Sequence, residues 1–181
     1  MLMDLRATLR PGARVLDAGA GTGALSREIL ELEPEAKVTM ADISTGMLEQ
    51  AAEIPAERIN ADVAELPFDD GSFDVVVSAW VIETVEDPMR ATSELLRVLD
   101  PQGHLFLTFT ALPGGWLSRA GSGLLREIVE DRFAGRALPE EHVPWHDCGR
   151  SHRRRFAAGL TEEIALRKCC KIPPSLASVD G

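Results

Sequence analysis

The stretch VLDAGAGTGAL, residues 15–25, constrains this chain more than any other. A short apolar run reaches Asp17, and glycines at 19, 21 and 23 follow before Ala24 and Leu25 open an amphipathic pattern. That order is a β-strand turning sharply into a helix. Glycine has no Cβ, so the backbone can turn tightly and let a ligand sit against the N–H groups at the helix start. Gly19-x-Gly21-x-x-Ala24 satisfies the dinucleotide fingerprint, and Asp42 lies near the distance expected of an acid that binds ribose hydroxyls. A dinucleotide, a phosphate and another nucleoside cofactor all remain open on this match alone.

The chain beyond the turn alternates short apolar runs with amphipathic stretches to about residue 110, the pattern of βαβ units winding a parallel sheet. The spacing predicts a strand at 13–17 and a helix whose Leu25, Ile29 and Leu32 share one face until Pro34. Strand two is Lys37 to Ala41, and Ser44 or Thr45 caps a helix carrying Met47, Leu48, Ala51 and Ala52. A weaker third strand runs from Arg58 to Ala61. Phe73 to Ala79, with three consecutive valines, reads as a central strand buried on both faces. Asp87-Pro88 pairs a cap with an N1 proline and opens a helix with Ala91, Leu95, Val98 and Leu99 on its buried stripe. Pro101-Gln102-Gly103 ends that helix, and His104 to Thr110 alternates into a fifth strand. A helix is expected at about Leu117 to Asp131, then an irregular excursion, then a strand pair at Arg154 to Ala158 and Ile164 to Cys170.

Composition narrows the partners. With 19 basic and 29 acidic residues the net charge is −10, which disfavours a broad grip on nucleic acid or anionic lipid. The 181 residues, 45% of them hydrophobic, suit one domain with a substantial core. Cys148, Cys169 and Cys170 follow neither a zinc ribbon nor a disulfide framework, so a reducing cytoplasm is the expected location. The most apolar stretch, Val75 to Ile82, is far shorter than a membrane span.

Two acids discriminate between the cofactors. Asp17 puts a carboxylate at the strand end where a pyrophosphate would be repelled and an ammonium group welcomed, and S-adenosylmethionine carries such an amine. Asp62, in NADVAELPF ahead of the central strand, is placed to read an adenine amino group. With these motifs together the sequence resembles the class I S-adenosylmethionine-dependent methyltransferases, in particular the small-molecule group like the ubiquinone and menaquinone biosynthesis enzymes. VLDAGAGTG is similar to that family's glycine motif and VTMADIS to its acidic second strand. NADVAELPFDDGSFDVVVSAWVIETVEDP is similar to its adenine and central-strand segments, and ELLRVLDPQGHLFLT to its fifth-strand block. The likeness covers about residues 12–110.

The resemblance implies an α/β Rossmann-like fold: a mostly parallel sheet with helices on both faces, six or seven strands, and a C-terminal antiparallel strand pair. Residues 1–170 would form one methyltransferase-like domain in which 113–150 make an irregular acceptor-side excursion, with 171–181 a disordered tail. Asp17, Ala18 and the turn through Gly19, Gly21 and Gly23 would hold the methionine portion of S-adenosyl-L-methionine, and Asp42 the ribose hydroxyls. Ile43 and Met47 would pack near the adenine, Asp62 and Val63 would meet its amino edge, and Ser78 and Ala79 would lie near the sulfonium. A small-molecule acceptor is implied, with neither nucleic acid nor membrane as partner. Relatives carry helices ahead of the first strand, whereas 12 residues precede Ala13 here, so a partner or a missing N-terminal segment is expected to cover the cofactor.

No catalytic residue is assigned, because a methyl on a sulfonium is already electrophilic and needs chiefly an in-line nucleophile in a dry site. Glu83 is the nearest candidate base, weighed against the commoner reading of a solvated or capping acid. Thr84 stands where close relatives carry a histidine, and Gln102 replaces the first glycine of a common PGG turn. His142, His146 and Cys148 lie close together, but without a recognised ligand pattern they read as loop residues and no metal is expected. Arg150, Arg153, Arg154 and Arg155 read as a solvated edge, and Trp116 and Trp145 fall where such enzymes build the acceptor pocket. Two rival readings stand beside methyl transfer: an NAD-dependent oxidoreductase, which Asp17 and Asp62 disfavour, and a noncatalytic cofactor- or partner-binding module.

Overall fold

The computed structural model describes residues 2–110, 149–156 and 161–168. Within them the element order is α1 (Leu2–Thr8), β1 (Arg14–Ala18), α2 (Ala24–Leu32), β2 (Lys37–Asp42), α3 (Thr45–Gln50), β3 (Glu57–Asn60), β4 (Phe73–Ala79), α4 (Pro88–Val98), β5 (Leu99–Thr110), β6 (Gly149–Phe156) and β7 (Thr161–Lys168). The strands form one sheet in the order β3-β2-β1-β4-β5-β7-β6. The neighbours from β3 to β5 pair parallel, and β7 runs antiparallel to both β5 and β6. This is the expected α/β sheet with its antiparallel pair at the C-terminal edge. The expected helix near 117–131, the loop residues His142, His146 and Cys148, the indoles of Trp116 and Trp145, and the tail lie outside the described residues. Residues 149 and 150, expected in the irregular excursion, begin β6.

Two apolar layers enclose the sheet. Leu5 of α1, Ile29 of α2 and Leu48 of α3 cover one face with Val15, Val75, Val77 and Phe106. Ala91, Leu95, Leu96 and Val98 of α4 cover the other with Leu16, Val76, Leu105 and Leu107. Asp87 caps α4, its Oδ1 accepting from the N–H groups of Met89 and Arg90 at 3.0 Å, with Pro88 at the first helical position. Ser44 rather than Thr45 caps α3, which ends at Gln50 and leaves Ala51 and Ala52 beyond it. The α1 helix is anchored by the fully buried Leu5 and by an Asp4–Arg154 ion pair at 3.2 Å that ties it to β6.

Two expectations are corrected near residue 100. Helix α4 ends at Val98, and β5 begins at once with Leu99, so Pro101-Gln102-Gly103 terminates nothing. Phe73 pairs with Leu99 and Val75 with His104, and the proline segment loops out between these registers. From Leu105 the strand does not alternate: Leu105, Phe106, Leu107 and Phe109 are all buried, because α4 covers one face and the α1–α3 layer the other.

Arg97 pins the segment before β4 to α4. Its guanidinium donates to the carbonyls of Phe68 at 2.7 Å and Leu66 at 2.9 Å and to Glu94 at 2.8 and 2.9 Å, while Glu94 accepts from the Leu66 N–H at 2.9 Å. Arg97→Met keeps the aliphatic stem and strands these acceptors. The expected loss is roughly 2 kcal/mol, read as a thermal midpoint lower by about 4–8 °C.

Candidate functional site

The carboxyl ends of β1, β2 and β4 meet where the strand order reverses direction, at the junction of β1 and β4. There the chain leaves β1 through three glycines with left-handed backbone, Gly19 at φ 76°, Gly21 at φ 54° and Gly23 at φ 79°. At Gly19 space forbids a side chain as well, because a Cβ would collide with the branched Val81 after β4, while one at Gly23 would have to push aside the tips of Ile54 and Met40. The turn is fastened to the end of β2: the N–H groups of Gly19 and Ala20 donate to Ala41 O at 2.7 and 3.1 Å, and Gly21 N–H donates to Asp42 Oδ2 at 2.8 Å.

Asp42 therefore links the two strand ends, its Oδ1 accepting from Ser44 N–H at 2.8 Å. Asn60 Nδ2 donates to the carbonyls of Asp42 and Ile43 at 3.0 and 2.8 Å, and Ala61 N–H to Asp42 O at 3.1 Å, which brings the Asp62 loop alongside. Asp62 is exposed and locks its own turn, Oδ1 accepting from Ala64 N–H at 2.8 Å. Its neighbour Val63 sinks its side chain into the core, so only its backbone faces outward chemistry. Ala18 is likewise fully buried. Of the four large apolar side chains exposed among the described residues, Ile43, Met47 and Trp80 follow the ends of β2 and β4, as the walls of an apolar site would.

Asp17 is 2% exposed and accepts one short hydrogen bond, 2.6 Å, from Ser26 Oγ of α2. Burial drives its pKa up to about 6, against the lowering pull of Ser26, and Asp42 adds like-charge repulsion. Such a carboxyl gains from a cationic partner. Asp17 aligns with Val77 of β4, on the α1–α3 face, whereas Ser78 lies on the other face with Val76 and is wholly buried with its Oγ unpartnered.

Sequence reasoning passed over the backbone of Trp80 after β4. Half-exposed, Trp80 has φ 62°, the left-handed region that a bulky L-residue enters at a cost of about 1–2 kcal/mol. Its N–H is held by Thr108 O at 2.7 Å. Glu83, the candidate base weighed against a solvated or capping acid, is 4% exposed, and its Oε1 accepts from Thr110 N–H at 3.0 Å and Thr110 Oγ1 at 3.2 Å. Thr84 turns its hydroxyl back onto Val81 O at 2.7 Å. A cavity of about 600 Å³ opens at the opposite, amino ends of the strands between Arg14, Lys37, Glu57 and Phe73, and none of the expected site residues lines it. Among the described residues no group of three or more His, Cys, Asp or Glu side chains could hold a metal ion, and no helix is long and apolar enough to cross a membrane.

Residues 16–107, half of the chain, match the family model described as a methyltransferase domain. The chain belongs to this methyltransferase domain family. Among curated relatives, the demethylmenaquinone methyltransferase of Clavibacter sepedonicus is 38% identical over 123 residues, covering 65% of this chain and 49% of that protein. The chain thus spans about half the length of this relative. The methyltransferase fold recurs in an S-adenosylmethionine-dependent methyltransferase from Mesorhizobium loti, with TM-score 0.70 and 19% identity over 92% of this chain and 96% of that one. It recurs also in a phosphoethanolamine N-methyltransferase of Haemonchus contortus in complex with S-adenosyl-L-methionine, with TM-score 0.75 and 18% identity over 93% and 51%. Membership of a methyltransferase family supports S-adenosylmethionine over a nicotinamide dinucleotide as the cofactor.

The raised Asp17 carboxyl fixes a pH dependence. Its folded value of about 6 lies above the ordinary 3.8, so its contribution to stability is full below pH 3.8 and is lost as the pH rises through 6. The difference is about 3 kcal/mol. Asp17→Asn, which still accepts from Ser26, removes that dependence: chemical denaturation of the ligand-free protein will show the variant more stable than the parent at pH 8 and the gap closing by pH 4.

Proposed function

We propose that this chain transfers a methyl group from S-adenosylmethionine to a small-molecule acceptor, with the cofactor lying across the carboxyl ends of β1, β2 and β4. The observation that carries the reading is the pairing of a buried, cation-seeking Asp17 with Asp42 on either side of a turn too tight for any Cβ at Gly19. The bound cofactor supplies an activated methyl on a sulfonium. Around it Asp17 meets the ammonium group, the bare backbone of Gly19, Gly21 and Gly23 lets the methionine portion lie close, and Asp42 takes the ribose hydroxyls. Ile43 and Met47 cover the adenine, Asp62 and the backbone of Val63 meet its amino edge, and Ser78 and Ala79 form the floor beneath the reacting centre through their backbone.

The acceptor binds beyond β4 and β5, at the carboxyl ends of the strands. The Clavibacter relative's name makes a demethylated quinone the first acceptor to test. A net charge of −10 speaks against nucleic acid, and the cysteine usage speaks for the cytoplasm. A partner or a further segment covers the cofactor, because an open crevice would leave the sulfonium in water.

Calorimetry with S-adenosylhomocysteine and NADH tests the reading. The first binds and the second does not, and Asp42→Ala weakens the first by about 10- to 100-fold, the worth of hydrogen bonds to a charged group. Binding of NADH alone by the folded protein would favour the oxidoreductase instead.

A further inference from the structure

Glu83 leaves one oxygen without a purpose in the fold. Its Oε1 is fixed by two hydrogen bonds from Thr110, at 3.0 and 3.2 Å, while Oε2 is buried and has no partner. A buried acceptor left unsatisfied is costly, so its position calls for a function. The surrounding geometry directs that function to the reacting centre. Trp80 N–H holds the chain to Thr108 O at 2.7 Å, two residues before Thr110 on the same strand. Val81, one residue on, fills the space that a Cβ of Gly19 would need. A turn closed by Thr84 N–H on Val81 O at 2.8 Å then brings Glu83 back against β5. Residues 80–83 thus bridge the glycine turn and the end of β5, and the strained Trp80 backbone is where the chain leaves β4 to do so.

Resting on the methyl-transfer reading above, we propose that Glu83 is a catalytic residue whose Oε2 takes the proton from the acceptor. The acceptor is then a molecule whose nucleophilic atom bears hydrogen. A lone or π electron pair of that atom forms the bond to the methyl carbon, the carbon–sulfur pair stays on sulfur, and the proton passes to Oε2. Burial raises the Glu83 carboxyl from its ordinary value, against its own backbone amide and the Thr110 donors, which makes it a stronger proton acceptor than a solvated carboxylate. Asp17, Asp42 and Asp62 are acids at the same strand ends, and Glu163 of β7 is buried in register with Thr108.

The sulfonium of S-adenosylmethionine and the neutral sulfur of S-adenosylhomocysteine differ by one charge at the reacting atom, so their affinity ratio reads a nearby carboxylate without any acceptor. As the pH rises from 5 to 9, calorimetry on the intact chain will show affinity shifting toward S-adenosylmethionine by about tenfold or more, the effect of a unit charge within about 10 Å at an effective dielectric near 20. Glu83→Gln keeps an oxygen for Thr110 and removes most of that shift. The shift that survives in the variant belongs to the other carboxylates at these strand ends. A ratio flat with pH in the unmodified protein, or one unchanged by Glu83→Gln, overturns the assignment and leaves the methyl-transfer reading standing. Absence of S-adenosylhomocysteine binding overturns both.

Discussion

The fastening of the glycine turn to the end of β2 is the contact on which the site depends. Ala41 O receives the N–H groups of Gly19 and Ala20, and Asp42 receives that of Gly21. These bonds fold the β1–α2 connection back over the neighbouring strand, and only glycine permits the left-handed backbone they require. One consequence is the burial of Asp17 beneath the first turn of α2, with Ser26 as its donor. Another is that Asp42 is both a structural acceptor and the acid nearest any ligand lying on the turn. The same few hydrogen bonds therefore set the shape of the crevice and its charge.

The second half of the crevice is organised from β5. This strand is buried on both faces, so its carboxyl end is a rigid edge, and the segment leaving β4 is tied to it at Thr108 and Thr110. Trp80 accepts backbone strain there, and Glu83 brings a carboxyl into the interior. Strain and a half-satisfied buried acid are both costly, and both occur in one short segment beside the glycine turn, the kind of clustering that functional sites show.

Much of this was legible in the sequence because it rests on local rules. The glycine spacing, the Ser44 and Asp87 caps and the valine run of β4 each follow from backbone sterics or from continuous burial, and the mostly parallel sheet follows from βαβ winding. What escaped depends on tertiary surroundings. Pro101-Gln102-Gly103 looks like a helix stop, yet pairing with Phe73 on one side and Val75 on the other absorbs it as an outward loop within β5. Glu83 looks like a surface acid until Thr110 is seen to bond it, and no periodicity announces that Trp80 must take a positive φ. The adenine side divides similarly: Asp62 sits in the turn that its spacing suggests, while Val63 shows that a residue beside a ligand can spend its side chain on the core.

A crystal structure of the protein with S-adenosylhomocysteine tests the account most directly. It should show the ligand amine against Asp17, the ribose hydroxyls on Asp42, and the adenine between Ile43, Met47 and the Asp62 loop. A ligand bound elsewhere, such as the groove between Arg14, Lys37 and Glu57 at the amino ends of the strands, would contradict it.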